Sequence, residues 1–500
     1  LNFLSRLFGT QLRRNEGVNP RLLQARFDAA QTTEENAAHW AAADALSPTA
    51  SLTSAIRRTL RNRARYEVAN NSYAYGIVET IAAYTVGTGP ILQVHSKVQE
   101  VNDRIEDEFA GWAQEVGLAA LLRLMRRCVV VDGEAFVLFC SNPWIPGPVK
   151  LDLRAIEPDQ VSEGPGASQL QYPVEGIVFD DYGRPVAYHV LRQHPGDYAF
   201  GGADFSYDTI PADLVVHYFR QNRPGQARGI PEITPALPLF SILRRYTLAT
   251  AAAAETAANL AAVLQTDSAA YIPRDADRFA RELVWQFVDL KPRSATVLPP
   301  GWKLSQMTAQ HPSTTYGDFV YHLMTEIARC LSVPVVVALN DSSRANFSSG
   351  RLDLRNWYRT IEVERSLIES VVLEKILRTW YREWRTANES FADRYELPRR
   401  MPRHSWFWPA LEGVDPEKEA KAQALRLQNG LTTLAREYAK AGRDWETELR
   451  QRAREIELAN SLGILPFLGG TKNGPEEEQD SLAREEDSPP PGESEAQGAG

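Results

Sequence analysis

Apolar positions recur at helical spacing over much of the chain, and one stretch, ending near Arg220, switches to the strand period. "NNSYAYGIVETIAAYTVGTGP" opens on Asn and Ser and stops at Gly87, Gly89 and Pro90, with Ile77, Ile81 and Tyr84 on one face. This predicts a capped amphipathic helix. Helices follow over Lys97–Val116 and Leu118–Arg127. In "CVVVDGEAFVLFC" an Asp132-Gly133 pair separates two apolar runs, which predicts a β-hairpin. "VKLDLRAIEP", "VEGIVFDDYGRPVAYHVLR" and "DLVVHYFR" carry the strand period on to Arg220, so this region reads as α+β with a mainly antiparallel sheet.

Helical spacing then returns. "LFSILRRYTLATAAAAETAANLAAVLQ" runs without Gly or Pro, enough for a helix of roughly 40 Å. Its small side chains at Ala251, Ala253, Ala254, Ala258 and Ala261 suit close packing against a neighbouring helix. A small module over Thr266–Met307 precedes a second helix, "YGDFVYHLMTEIARCLS". Next comes the polar run "NDSSRANFSSG". Beyond it Trp357, Ile361, Ile368, Val372 and Ile376 fall about one turn apart, so Arg351–Trp384 predicts a single long amphipathic helix with those residues at its core. The segment "VDPEKEAKAQA…ELANSLGI" reads as a short helical bundle.

Composition adds limits. The net charge of −9 argues against a simple basic groove-reading surface, although Pro475–Gly500 alone holds nine Asp or Glu against one Arg. That tail reads as a disordered solubilising segment. "AIRRTLRNRAR" sets five arginines between Arg57 and Arg65, which either pair with acids of a neighbouring element or meet phosphates. Cys128, Cys140 and Cys330 stand in apolar contexts and are expected to be buried reduced thiols. No run reaches a membrane span and the start lacks a signal-peptide core, which predicts synthesis in the cytoplasm. Neither a phosphate-binding loop, a zinc spacing nor a nucleophile elbow is present, so no cofactor, metal or catalytic constellation is expected.

Six stretches carry a resemblance. "NNSYAYGIVETIAAYTVGTG", "VVDGEAFVLF", "RPGQARGIPEITPAL", "FVYHLMTEIARCLSVP", "NFSSGRLDLRNWYR" and "VDPEKEAKAQA…NGLTTLAREYAKAGRDWE" occur in that order. They resemble the portal proteins of tailed bacteriophages, more narrowly the lambda-type family. The resemblance implies an α+β portal fold: an N-terminal arm (1–50), a mixed α/β wing (51–230), a long stem helix (231–265), a clip (266–307) and a returning stem helix (308–334). It continues with a tunnel loop (335–350), a long wing-to-crown helix (351–390), a helical crown (391–465) and the acidic tail (466–500).

It also implies a homo-oligomeric ring, normally of twelve copies, at one capsid vertex of the virion, through which double-stranded DNA is packaged and ejected. The implied partners are the terminase large subunit, the major capsid protein and head-completion or connector proteins, with no membrane. Asn340, Asp341, Ser342, Ser343, Arg344, Asn346, Ser348 and Ser349 would line the channel, touching phosphates without holding them. The same residues equally suit the turn and N-cap of the following helix. Two other functions stay open on the residues alone: a minor capsid or head-tail adaptor protein, usually much shorter than this chain, and a packaging ATPase or nuclease, which would need the missing phosphate-binding loop.

Overall fold

The structure, a computed structural model, describes residues 38–162, 175–197, 206–259, 263–266, 302–305, 316–410, 416–440 and 443–463. Most of the N-terminal arm, nearly all of the 266–307 module, and the acidic tail lie outside these residues. The chain divides into a minor unit (1–53 with 222–227) and a major unit (54–221 with 228–500). In the minor unit a single turn, α1 (Pro48–Ser51), is capped by the Ser47 hydroxyl on Ala50 N. There Arg223 Nη2 donates to Leu46 O at 3.0 Å.

The major unit begins with α2 (Ser54–Asn70) and α3 (Ser72–Val86). The Asn71 side chain accepts from Tyr73 N and Ala74 N, and Gly87 ends α3 with φ +58°. Ile77 and Ile81 are buried, whereas Tyr84 is 41% exposed and lies against the Trp357 ring. Strand β1 (Ile91–Val94), α4 (Gln99–Glu115) and α5 (Leu118–Val131) follow.

The expected hairpin at Asp132-Gly133 is not formed. "CVVV" is the last turn of α5, and Gly133 passes the chain directly into β2 (Glu134–Ser141). A run of β-branched residues is compatible with either state, and burial of Val129, Val130 and Val131 decides for the helix. Gly133 has φ +92°, and a Cβ there would stand 2.5 Å from Ile230 C; one on Gly229 would stand 2.0 Å from Gly133 O. Two backbones meet with no room for side chains, so both positions require glycine.

Strand β2 is central to an antiparallel sheet between β3 (Leu151–Ile156) and β7 (Val215–Phe219), with Phe136 facing Ile156 on one side and His217 on the other. A second antiparallel sheet has the order β4 (Ile177–Phe179), β5 (Pro185–Leu191), β6 (Tyr207–Pro211). Helix α6 (Leu237–Asn259) ends before the expected Gln265, because Val263–Thr266 (β8) pairs antiparallel with Trp302–Ser305 (β9). This pair ties together the two ends of the 266–307 module. Helices α7 (Tyr316–Cys330) and α8 (Val335–Leu339) then lead to the long helix.

The long helix runs unbroken from Phe347 to Ala387: α9 (Phe347–Ile368), a π-helical turn (Glu369–Leu373) and α10 (Glu374–Ala387), with right-handed helical dihedrals at both junctions. Ile368, Val372, Ile376, Trp380 and Trp384 recur every four residues and are all buried. An α turn holds only about 3.6 residues, so such a run drifts around the helix. One wide π turn absorbs the extra residue and keeps the stripe on one face. Trp357 and Ile361 pack with α3, α6 and α7 in one core, while Ile368 to Trp384 pack with α4, α5 and β2 in another.

After α11 (Glu389–Arg394), the strand β10 (His404–Phe407) pairs antiparallel with β1, Ile91 facing Phe407. Helices α12 (Pro416–Gln428), α13 (Leu434–Lys440) and α14 (Trp445–Leu462) close the described chain. Asp444 caps α14 and also accepts from Gln93 Nε2 at 2.5 Å. Cys128 and Cys330 are half-buried and Cys140 is exposed, which corrects the expectation of buried thiols. Cys140 falls where β2 emerges from the core, and its strand pattern changes from buried to exposed at that residue. Among the described residues no helix is long and apolar enough to cross a membrane.

Candidate nucleic-acid interface

The polar run after α8 is shorter and more ordered than its composition suggests. Asn340 takes the left-handed conformation that Asn tolerates (φ +51°) and its N–H donates to Val337 O at 3.2 Å, ending α8. The Asp341 carboxylate accepts from Ser343 N at 2.9 Å and Ser343 Oγ at 3.0 Å. Those bonds stabilise the charged form and lower its pKa. The Asn346 side chain accepts from Ser349 N at 2.8 Å and is the N-cap of the long helix. The free loop is therefore 340–346, and Ser348 and Ser349 occupy the first helical turn.

Asn340, Asp341, Ser342, Ser343, Arg344, Asn346, Ser348 and Ser349 are all exposed. Arg344 is the cation of this group, and it is engaged: Nη2 donates to Asp318 at 3.0 Å, and the guanidinium lies 4.5 Å from the Tyr321 ring centre. Both partners belong to α7, so one side chain ties the loop to the helix before it. With Asp341 as its acid, the loop is electrically neutral as a group.

In the helix pair before the loop, Leu237, Phe240 and Leu243 of α6 pack with Leu323, Met324 and Ile327 of α7. Further along, Tyr246 stacks on Tyr316 at 5.6 Å. Beyond that, among the described residues α6 has little cover: Leu248 is 63% exposed, Ala251 is exposed, and Ala253 and Ala254 are half-buried. Ala258 lies in α6, and Ala261 lies outside the described residues. Trp357, Ile361, Ile368, Val372 and Ile376 are each at most 4% exposed.

The arginines of α2 separate into two sets. Arg57, Arg61 and Arg65, one turn apart, face inward; Arg58 and Arg63 face solvent. Arg57 pairs with Glu175, Arg61 with Asp159 at 2.9 Å, and Arg65 with Asp132 at 2.6 Å. Glu134 stands at the centre with no exposure, accepting from Arg228 Nε at 2.9 Å, His217 Nε2 at 3.0 Å and Gly229 N at 3.0 Å. Burial would raise its pKa, but Arg228 and the hydrogen bonds from His217 and Arg228 hold it well below the usual carboxylate range. Glu157, Asp159 and His194 gather closely enough to suggest a metal site, but Arg65 Nη2 lies 3.0 Å from Glu157 and 2.9 Å from Asp159 and already supplies the positive charge. For the inward set the acid-pairing reading is the one that holds. These partners come from residues 132–175 and 228, and no local sequence signal joins them to α2.

The family model and the relatives by sequence agree on one class. The model of a family described as "Phage portal protein, lambda family" matches residues 33–365, and the chain belongs to that family. It is 25% identical over 462 residues to a probable portal protein of Halomonas phage phiHAP-1, covering 84% of this chain and 86% of the relative. It is also 22% identical to the portal protein of Escherichia phage N15 (76% and 78% covered) and 22% identical to portal protein B of Escherichia phage lambda (70% and 71% covered). Among solved structures, a chain from the neck of an empty gene transfer agent particle computed with C6 symmetry gives a TM-score of 0.44 at 16% identity, covering 77% of this chain and 94% of that one. A chain from the neck of a native particle computed with C12 symmetry gives 0.42 at 16% identity, covering 77% and 93%. By its family the protein is a phage portal protein, placed at a capsid vertex, a structural protein and not an enzyme.

Proposed function

We propose that this chain assembles into a closed ring of about twelve copies, through which double-stranded DNA passes during packaging and ejection, with segment 340–346 facing the duplex. The observation that carries this reading is the exposed, neutral loop held at both ends: an N-cap seats it on the long helix, and Arg344 ties it to α7. Such a surface makes weak, exchangeable contacts with phosphates, whereas a charged one would release counterions and grip them. The 266–307 module, whose two ends β8 and β9 bring together, would dock the terminase large subunit and, later, head-completion proteins. The outer surface of the 51–230 region would meet the major capsid protein.

Changing Ser342 in the loop, and Ser348 in the exposed first helical turn that follows it, to Lys tests the channel. Both side chains are exposed, so the ring should assemble and melt normally, while the repeated cations should reduce the DNA packaged per particle, with partial relief at higher salt. Normal packaging by rings carrying both lysines would refute the placement of this loop in the channel.

A further inference from the structure

A second basic feature lies far from the loop in sequence. Helix α10 and the segment leading to β10 enclose a cavity of about 500 Å³ whose lining includes Arg378, Arg382, Arg399 and Arg400. All four are exposed, and among the described residues none of them forms an ion pair. Glu374 and His404 line the same cavity, and the acids close by already have partners. Glu374 accepts from His404 Nε2 at 2.7 Å and Trp406 Nε1 at 3.2 Å; Glu383 accepts from Lys150 N at 2.5 Å; Asp393 lies 3.7 Å from Arg385.

Arg378 and Arg382 stand one turn apart on a helix, where like charges repel. Arg399 and Arg400 add two more guanidinium groups to the same cavity. Concentrated positive charge of this kind, on a chain of net charge −9, is stabilised by an anion. The floor is firm: Leu377 and Tyr381 are buried, and the Tyr381 hydroxyl donates to Pro398 O at 3.0 Å, which fixes the start of the arginine-bearing segment against α10.

We propose that this cavity is a phosphate-recognition site for the backbone of nucleic acid, separate from segment 340–346. Planar guanidinium forks grip phosphate oxygens in pairs, and their number here suits a polyanion better than a single carboxylate. The proposal rests on the DNA reading above, which supplies the polymer. Its contacts are to phosphate alone, so binding is independent of base sequence.

The test is binding of a fluorescein-labelled duplex of about 20 bp to the full-length protein, on assemblies of matched mass, over a salt series. Replacing the four arginines by Gln should weaken binding at least about tenfold and lower the slope of log affinity against log salt by about 2 or more. The corresponding Lys variants should keep most of the slope, since charge is retained, while losing part of the affinity. Equal affinity in the wild type and the Gln variant overturns the proposal. So does equal affinity together with capture of a synthetic peptide of residues 475–500 by the wild type alone, which would assign the cavity to the chain's acidic tail. A Lys variant as weak as the Gln variant, both with lowered melting temperature, would show a folding role and likewise overturn it. The packaging test on Ser342 and Ser348 leaves these arginines intact, so the two readings fail separately.

Discussion

Arg57, Arg61 and Arg65 show how a single position can carry a charge inward at tolerable cost. A buried ion left without its partner costs about 3–5 kcal/mol, so such residues persist only where carboxylates and carbonyls converge on them. Glu134 and Arg228 meet that condition through several hydrogen bonds each. Glu106 is the opposite case: burial pushes its carboxyl up to about 7, against the Val94 N–H bond, with Asp444, Asp103 and Asp107 adding repulsion. A folded-state pKa above the unfolded one means the folded protein holds a proton that the unfolded chain has released. The stability owed to Glu106 therefore declines as pH rises from the ordinary carboxylate range to about 7. Glu106→Gln keeps an acceptor for Val94 and removes the titration. In urea unfolding, the variant should gain on the wild type between pH 5 and pH 8, and a pH-independent difference would sink this account.

At the scale of elements, the loop and the long helix answer one another. The N-cap is Asn346, not one of the serines, so the capping role falls on Asn346 and not on Ser342 or Ser348. Asn346→Ala should lower stability by about 1 kcal/mol, seen as a lower melting temperature. The lysine substitutions at Ser342 and Ser348 should leave melting nearly unchanged and alter packaging instead. Equal melting losses in both variants would reduce the whole segment to a cap. The π turn has a comparable logic: Glu369 opens it and Glu374 follows it, and Trp408 Nε1 and Trp406 Nε1 donate to them at 2.5 and 3.2 Å. Strand β10 and the Trp408 that follows it thereby clamp the π turn.

For the whole molecule, exposed Leu248 and the half-buried Ala253 and Ala254 describe a helix with little cover among the described residues. In a ring, small side chains there would let neighbouring copies approach closely. Ala253→Leu should overpack such a contact by about 1–3 kcal/mol per site. Repetition around the ring makes assembly suffer more than folding: native mass measurement should show fewer closed rings, while circular dichroism of the subunit stays unchanged. Full assembly of the variant would remove α6 from the subunit contact.

Much of this was legible in the residues. Asn71 and Gly87 mark the ends of α3, the Gly/Pro-free run gives α6, and the recurrence from Trp357 to Trp384 gives the long helix, because caps and apolar period are local properties of a chain. Six collinear stretches carried the family. Tertiary structure decided the rest. The "CVVV" run became helix rather than strand because its valines are buried there, and Gly133 was needed where Gly229 crosses it. The pairing of Ile91 with Phe407 joins strands more than three hundred residues apart, and short strands at that separation leave no period to read. The same holds for charge: which arginines are neutralised depends on where distant carboxylates arrive, and only the folded chain brings Asp159 to Arg61 while Arg378 and Arg382 form no ion pair among the described residues.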